Sequence, residues 1–316
     1  MQYEVDRNRS SNGEPSISEM TGKAINILKR NTNGFFLMVE GGRIDHAHHD
    51  SKGAFALEET LAFEEAISTA LEMTDKRDTL IIVTADHSHV FSIGGYSNRG
   101  NDILGLVDPF DAEPSLDGMP YTTLSYGNGP GTNFTAGRQN LSDIDTRSFD
   151  YIQQSAVPLK YETHSGEDVP IFASGPVSYL IRGVQEQHYV AHVMQYAACV
   201  GDYTNDCDRQ IETVQTCAAF HISYKRSTED WHKIARDLLQ EQLKVKTNTN
   251  KAKNIILFIG DGMGIPTITS ARIYKGQQMN KTGEETVFKF EEFPNVALSK
   301  VRNNHIPTLT LPMCPL

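Results

Sequence analysis

Three short apolar runs punctuate an otherwise mixed chain: Gly34 to Val39 (GFFLMV), Leu80 to Val83 (LIIV) and Asn254 to Ile259 (NIILFI). Runs of this length with almost no polar interruption predict strands buried on both faces, as in parallel sheets. Val169 to Phe172 (VPIF) predicts another short strand. Elsewhere the spacing becomes helical. Ser16-Ile-Ser-Glu19 reads as a capping box opening a helix to about Arg30. From Lys52 to Met73, Phe55, Leu61, Ile67 and Leu71 fall near one face and glutamates on the other. Further helices are predicted from about Glu186 to Ala198, from Glu229 to Val245, and from about Pro266 to Tyr274. In the second of these, Trp231, Ile234, Leu238 and Leu239 form the apolar side. Strands alternating with helices define an α/β fold with a largely parallel central sheet flanked by helices.

The pattern breaks between about Phe91 and Leu159, where Gly, Pro, Asn, Asp and Ser dominate and a loop-rich, crown-like subdomain is expected. The chain therefore divides into a core segment (1–90), the crown-like insertion (91–160), the rest of the core (161–200), an irregular junction (201–228), a second core segment (229–300) and a tail (301–316). The polar stretch KTNTNKAK links the last predicted long helix to NIILFI.

Charge narrows the choice of partners. The 29 Lys and Arg against 40 Asp and Glu give a net charge of −11. That balance argues against a nucleic-acid binder, which needs a basic stripe. It leaves a small phosphate substrate open, because bound metal can reverse the local field. Cys199, Cys207, Cys217 and Cys314 form no CxxC pair, so a thiolate zinc site is not expected. Cys199 and Cys207 are spaced to close a small disulfide loop, with free thiols as the alternative. Asn-x-Ser/Thr sequons occur at Asn8, Asn133, Asn140 and Asn280. MQYEVDRNRS is too polar for a signal peptide, and no apolar run approaches the roughly 20 residues of a membrane span. TLTLPMCPL is too short for a lipid-anchor signal, so the chain taken by itself reads as soluble and untargeted.

Candidate chemistry collects at the ends of the apolar runs. Glu40 closes GFFLMV, and Asp45 and His49 follow in GGRIDHAHH at i, i+4. A helix there would point both at one metal. LIIV leads into Thr84-Ala-Asp86-His87-Ser-His89, where adjacent Asp and His can reach one ion. NIILFI leads into Gly260-Asp261-Gly-Met-Gly264, a carboxylate between glycines. The spacing is a poor match to a nucleotide-binding glycine loop, because the Asp would face the phosphates. His164 lies in ETHSGED just before VPIF and is weak evidence alone. Taken together, Asp45, His49 and His164 make one mixed N/O set, and Asp86, His87 and Asp261 make another. Three ligands and an open position is the pattern of catalytic zinc, and two such sites form a clamp for phosphoryl transfer. Glu40 with Asp261 suits magnesium, which prefers oxygen.

These motifs closely resemble the animal-type alkaline phosphatase family. MQYEVDRN, GFFLMVEGGRIDHAHH, VTADHSHVFSIGGY, GNGPG, QQSAVPL, ETHSGEDV and HVMQYAACVG are similar to the family's C-terminal half. AKNIILFIGDGMG, TSARIYKGQ and FPNVALSK are similar to its N-terminal part. The resemblance implies hydrolysis of phosphate monoesters, two zinc ions and one magnesium ion, and a homodimeric glycoprotein that is secreted or membrane-anchored. It would place the first zinc on Asp45, His49 and His164, and the second on Asp86, His87 and Asp261. Magnesium would take Glu40 and Asp261. His46, His48 and His89 would support these ligands. The family's order is reversed here and its middle section has no counterpart. The similarity ends near Val301, before the expected nucleophilic serine, and VRNNHIPTLTLPMCPL contains no serine. The resemblance thus implies a metallohydrolase with impaired turnover. The alternative is a non-catalytic zinc- or phosphate-binding family fragment, or the product of a fused gene model.

Overall fold

The computed structural model describes residues 1–10, 12–108, 115–132, 137–205, 233 and 247–301. Helix α1 (Ile17–Leu28) starts at the predicted capping box. Ser16 Oγ accepts from the Glu19 N–H at 3.1 Å, and Glu19 Oε2 accepts from the Ser16 N–H at 2.7 Å. Two donors that a helix start leaves open are thereby satisfied. Strand β1 (Phe35–Glu40), short helix α2 (Arg43–His49), long helix α3 (Gly53–Met73) and strand β2 (Thr79–Thr84) follow. Short strands β3 (Ser88–His89), β4 (Phe91–Ile93), β5 (Leu124–Gly129), β6 (Ser155–Pro158) and β7 (His164–Ser165) come next. The chain returns to the core through β8 (Val169–Ser174), β9 (Gly183–Glu186) and α4 (Tyr189–Ala198). Strand β10 (Asn254–Ile259), helix α5 (Ile265–Gln278) and strand β11 (Asn295–Lys300) complete it.

The central sheet has six strands in the order β1-β10-β2-β8-β11-β9. Although β10 comes late in the chain, it inserts between β1 and β2 and is parallel to both. The register sets Glu40 level with Ile259, and Ile259 level with Thr84. Only β8 runs against its neighbours, β2 and β11, so the sheet is largely parallel. Side chains alternate between its faces. Ile81, Val83, Ile256 and Phe258 pack with Ile25 of α1 and with Phe63 and Ile67 of α3. Leu80, Ile82, Ile255 and Leu257 pack with Val190, Val193 and Met194 of α4.

Two expectations need correction. GFFLMV was expected to be buried on both faces, yet Phe36 and Met38 are 47% and 50% exposed. Among the described residues β1 is an edge strand, and α4 leaves these two side chains uncovered beside Ile255 and Leu257. The glutamates of α3 are also not all solvated. Glu64 is buried and pairs with Lys275 Nζ of α5 at 2.7 Å, because α3 is covered by other elements on more than one side. The helix expected over 229–245 lies outside the described residues.

Residues 91–160 contribute a three-stranded sheet, β4-β5-β6, joined by long loops. This layer is fastened to α5. Gln277 Oε1 accepts from Ile103 N–H at 3.0 Å, and Gln277 Nε2 donates to Asn101 O at 2.7 Å. Buried His48 of α2 lies 2.8 Å from Tyr126 OH of β5 and 3.0 Å from Thr267 Oγ1 of α5. Cys199 is disulfide-bonded, and Cys207, its expected partner, lies outside the described residues. Asn8, Asn140 and Asn280 are exposed, whereas Asn133 lies outside the described residues.

The packing makes β10 indispensable to the core. Phe258 is fully buried, with its ring 5.8 Å from that of Phe63. Phe258→Ala is expected to lower stability by about 3–5 kcal/mol. Denaturant unfolding checks this, and an unchanged midpoint would mean that β10 is not inserted in the sheet.

Candidate metal centre

The site is built where the three level strands end. Past Glu40 of β1 the chain turns through two glycines into α2, whose helical geometry puts Asp45 and His49 on one side. His49 Nε2 stands 3.3 Å from Asp45 Oδ1. Past Thr84 of β2 come Asp86 and His87, and past Ile259 of β10 comes Asp261. His164 arrives from the other direction. Because β8 is antiparallel, its start lies at this same edge of the sheet, and Thr84 Oγ1 donates to Pro170 O at 3.0 Å. The loop before β8 therefore delivers His164 to a site formed by the ends of the parallel strands.

Two groups of donor atoms result. His164 Nε2 lies 3.2 Å from Asp45 Oδ1 and 3.0 Å from His49 Nε2, which closes a triangle with the Asp45–His49 contact. In the second group, His87 Nε2 lies 3.3 Å from Asp261 Oδ1 and 3.5 Å from Asp86 Oδ2. Zinc–ligand bonds of about 2.0–2.1 Å place tetrahedral donors about 3.3 Å apart, so both groups have the spacing such an ion requires. The groups adjoin each other, with His87 Nε2 only 3.8 Å from Asp45 Oδ1.

Backbone carbonyls set the tautomers. A carbonyl only accepts, so His49 Nδ1, 2.6 Å from Glu162 O, carries the proton. His87 Nδ1, 3.1 Å from Ser88 O, does the same. Each ring then turns its Nε2 toward the donor group, the orientation metal-binding imidazoles adopt. Asp86 Oδ1 is held by the backbone N–H groups of His87 (3.0 Å) and Gly262 (3.3 Å).

His89 is also within ligand distance of Asp45, His87 and His164, and of His49 and Glu162. Both its nitrogens are already engaged, with Nδ1 2.5 Å from Glu162 Oε2 and Nε2 3.0 Å from Asp45 Oδ1. Burial opposes charging this ring, but hydrogen bonds to Asp45 and Glu162 outweigh it and lift its pKa to about 9. With one nitrogen on each of two carboxylates, His89 is placed to support Asp45. Gly262 makes room for it. Its φ is +73°, and a Cβ there would lie 2.4 Å from His89 Nε2.

Charge in the centre is unbalanced without a cation. Burial and the neighbouring charges of Asp261, Asp86 and Asp45 raise the Glu40 pKa. Burial and Asp261 raise that of Asp86. Burial alone would raise Asp45 too, but hydrogen bonds from His164 and His89 hold it well below the usual carboxylate range. Bound divalent ions would relieve this crowding of acids. Glu40 shares the edge with Asp261 but is not gathered into either ligand-spaced group. Of the flanking histidines, His48 is buried with its ring stacked on His89 at 4.7 Å. His46 instead faces outward, 3.3 Å from Arg43 Nη1. Sequence reasoning missed Glu162, a fully buried carboxylate two positions before His164.

An α/β sheet carrying two adjoining Asp/His donor groups beyond its parallel strand ends defines a protein equipped for metal-dependent chemistry. The family model for alkaline phosphatase matches residues 1–200 and 252–308, the second span extending past Val301. The chain belongs to the alkaline phosphatase family. It is similar to the tissue-nonspecific alkaline phosphatase isozyme of Felis catus, 53% identical over 208 residues, covering 66% of this chain and 39% of the relative. The corresponding isozyme of Homo sapiens is 51% identical with the same coverage. An alkaline phosphatase of Gadus morhua is 51% identical over 200 residues, covering 63% of this chain and 41% of the relative. The chain spans about two fifths of the length of the curated relatives it matches.

The ion pair around His89 predicts how the metal-free protein responds to alkali. The His89 pKa is raised from 6.5 to about 9 on folding, so its contribution to stability is complete below about 6.5. That contribution is lost as pH rises through about 9. The melting temperature of chelator-treated protein should therefore fall across this window, and His89→Gln should flatten the decline. Equal slopes in the two proteins would contradict the assignment of charge to His89.

Proposed function

We propose that this chain is an alkaline-phosphatase-like metalloprotein acting on phosphate monoesters at a centre of two zinc ions and one magnesium ion, with strongly impaired turnover. The observation that carries the reading is the meeting of two three-donor groups across the 3.8 Å contact between His87 and Asp45. Asp45, His49 and His164 would hold the first zinc, and Asp86, His87 and Asp261 the second. Glu40 and Asp261 would hold magnesium. When bound, paired ions would supply Lewis acidity and a clamp for the attacking and leaving oxygens of phosphoryl transfer.

The chain's own residues prepare the site. His49 and His87 keep their Nδ1 protons on backbone carbonyls and present Nε2 inward. The Gly262 N–H orients Asp86. His89 holds Asp45 in place through Oδ1. Family membership supports a phosphate monoester or inorganic phosphate as the ligand, and supports a secreted or membrane-anchored homodimer. The exposed sequons at Asn8, Asn140 and Asn280 suit a glycoprotein.

Impaired turnover rests on VRNNHIPTLTLPMCPL, which offers no serine to act as the family's nucleophile. The same observation favours a second reading, a zinc- and phosphate-binding protein without turnover. Hydrolysis of a chromogenic phosphate monoester at alkaline pH, with zinc and magnesium present, separates the two. Impaired turnover predicts a kcat far below the about 10 s⁻¹ of a median enzyme, abolished in Asp86→Ala. No turnover in folded, zinc-loaded protein selects the binding reading. Turnover that survives in Asp86→Ala refutes the assigned centre.

A further inference from the structure

The loop before β8 carries a carboxylate with no place in either donor group. The Glu162 side chain is fully buried, and a buried carboxylate without partners is strongly destabilising. Here every polar group of the residue is committed. Oε2 lies 2.5 Å from His89 Nδ1, and Oε1 accepts from the Val90 N–H at 2.8 Å. The Glu162 N–H donates to His49 O at 2.9 Å, and its carbonyl accepts from His49 Nδ1 at 2.6 Å. Gly129, at φ +135°, lets the crown strand lie against it, since a Cβ there would stand 3.2 Å from Glu162 Cβ.

We propose that Glu162 is the positioning residue of the first donor group, holding Asp45 through His89 and His49 through its own backbone. The two routes converge on one group. The first runs from the Glu162 carboxylate to His89 Nδ1, and from His89 Nε2 to Asp45 Oδ1. The second fixes the His49 tautomer directly. A third link is covalent, because His164 is only two residues further on and pairs with His89 across β3 and β7. Thus Asp45, His49 and His164 are all referred to one buried residue. Asp86 and His87 are instead oriented by Gly262 N–H and Ser88 O, and no contact of Glu162 reaches them or Asp261 among the described residues.

The proposal rests on the metal reading and predicts a selective effect. Groups that orient metal ligands change affinity by about 10–100-fold when lost. Zinc uptake by the full-length metal-free chain, titrated against a chromophoric chelator, provides the readout, with His164→Ala marking the first group and Asp86→Ala the second. Glu162→Gln, which keeps the shape and an acceptor for Val90, should weaken by about 10–100-fold the zinc that His164→Ala also loses. The zinc that Asp86→Ala loses should bind as before. His89→Gln, which removes the ring between Glu162 and Asp45, should weaken the same ion and leaves the proposal testable should Glu162→Gln fail to fold. Unchanged affinity for the first ion in both variants, or equal weakening of both ions, would overturn the proposal while leaving the metal reading intact. Absence of zinc uptake by the unsubstituted chain would overturn both.

Discussion

The level pairing of three parallel strands is the constraint on which the rest of the structure depends. Glu40, Ile259 and Thr84 lie side by side, so three chain segments leave the sheet at one height. Backbone hydrogen bonds fix that register, and burial of alternate side chains on two faces makes a one-residue slip prohibitive. The Asp and His residues that follow are therefore brought together by burial of residues remote from the chemistry. The inserted β10 shows how little chain order matters to this result. It arrives after α4, yet is parallel to both neighbours and carries Asp261 to the centre.

The acids so gathered repel one another, and the protein answers with fixed donors. Asp45 Oδ1 meets His164 at 3.2 Å and His89 at 3.0 Å. Asp86 has two backbone N–H groups, while Glu40 is left with a raised pKa. Groups held in place before an ion arrives lower the reorganisation that binding requires. The crown-like layer contributes too, because Tyr126 and Gly129 pack against His48 and Glu162 behind the ligands.

Much of this was legible in the sequence. Continuous apolar runs marked β1, β2, β8 and β10, and the i, i+4 spacing of Asp45 and His49 anticipated α2. His164 was weak by itself, since only the antiparallel course of β8 brings its loop to the shared edge. Glu162 could not be seen, because a glutamate in a polar loop carries no sign that it is buried. The burial of Glu64 was hidden for a related reason: its partner, Lys275, is more than 200 residues away in sequence. Phe36 and Met38 were misjudged because their run has the same pattern whether or not a helix covers both faces.

The central claim is that the strand ends form a paired centre of imidazole and carboxylate. X-ray absorption at the zinc edge, on the zinc-loaded full-length chain, tests it most directly. The account predicts a nitrogen and oxygen shell at about 2.0–2.1 Å, imidazole back-scattering, and a second metal at about 3.5–4 Å. A sulfur shell at about 2.3 Å, or an all-oxygen shell without imidazole, would contradict it.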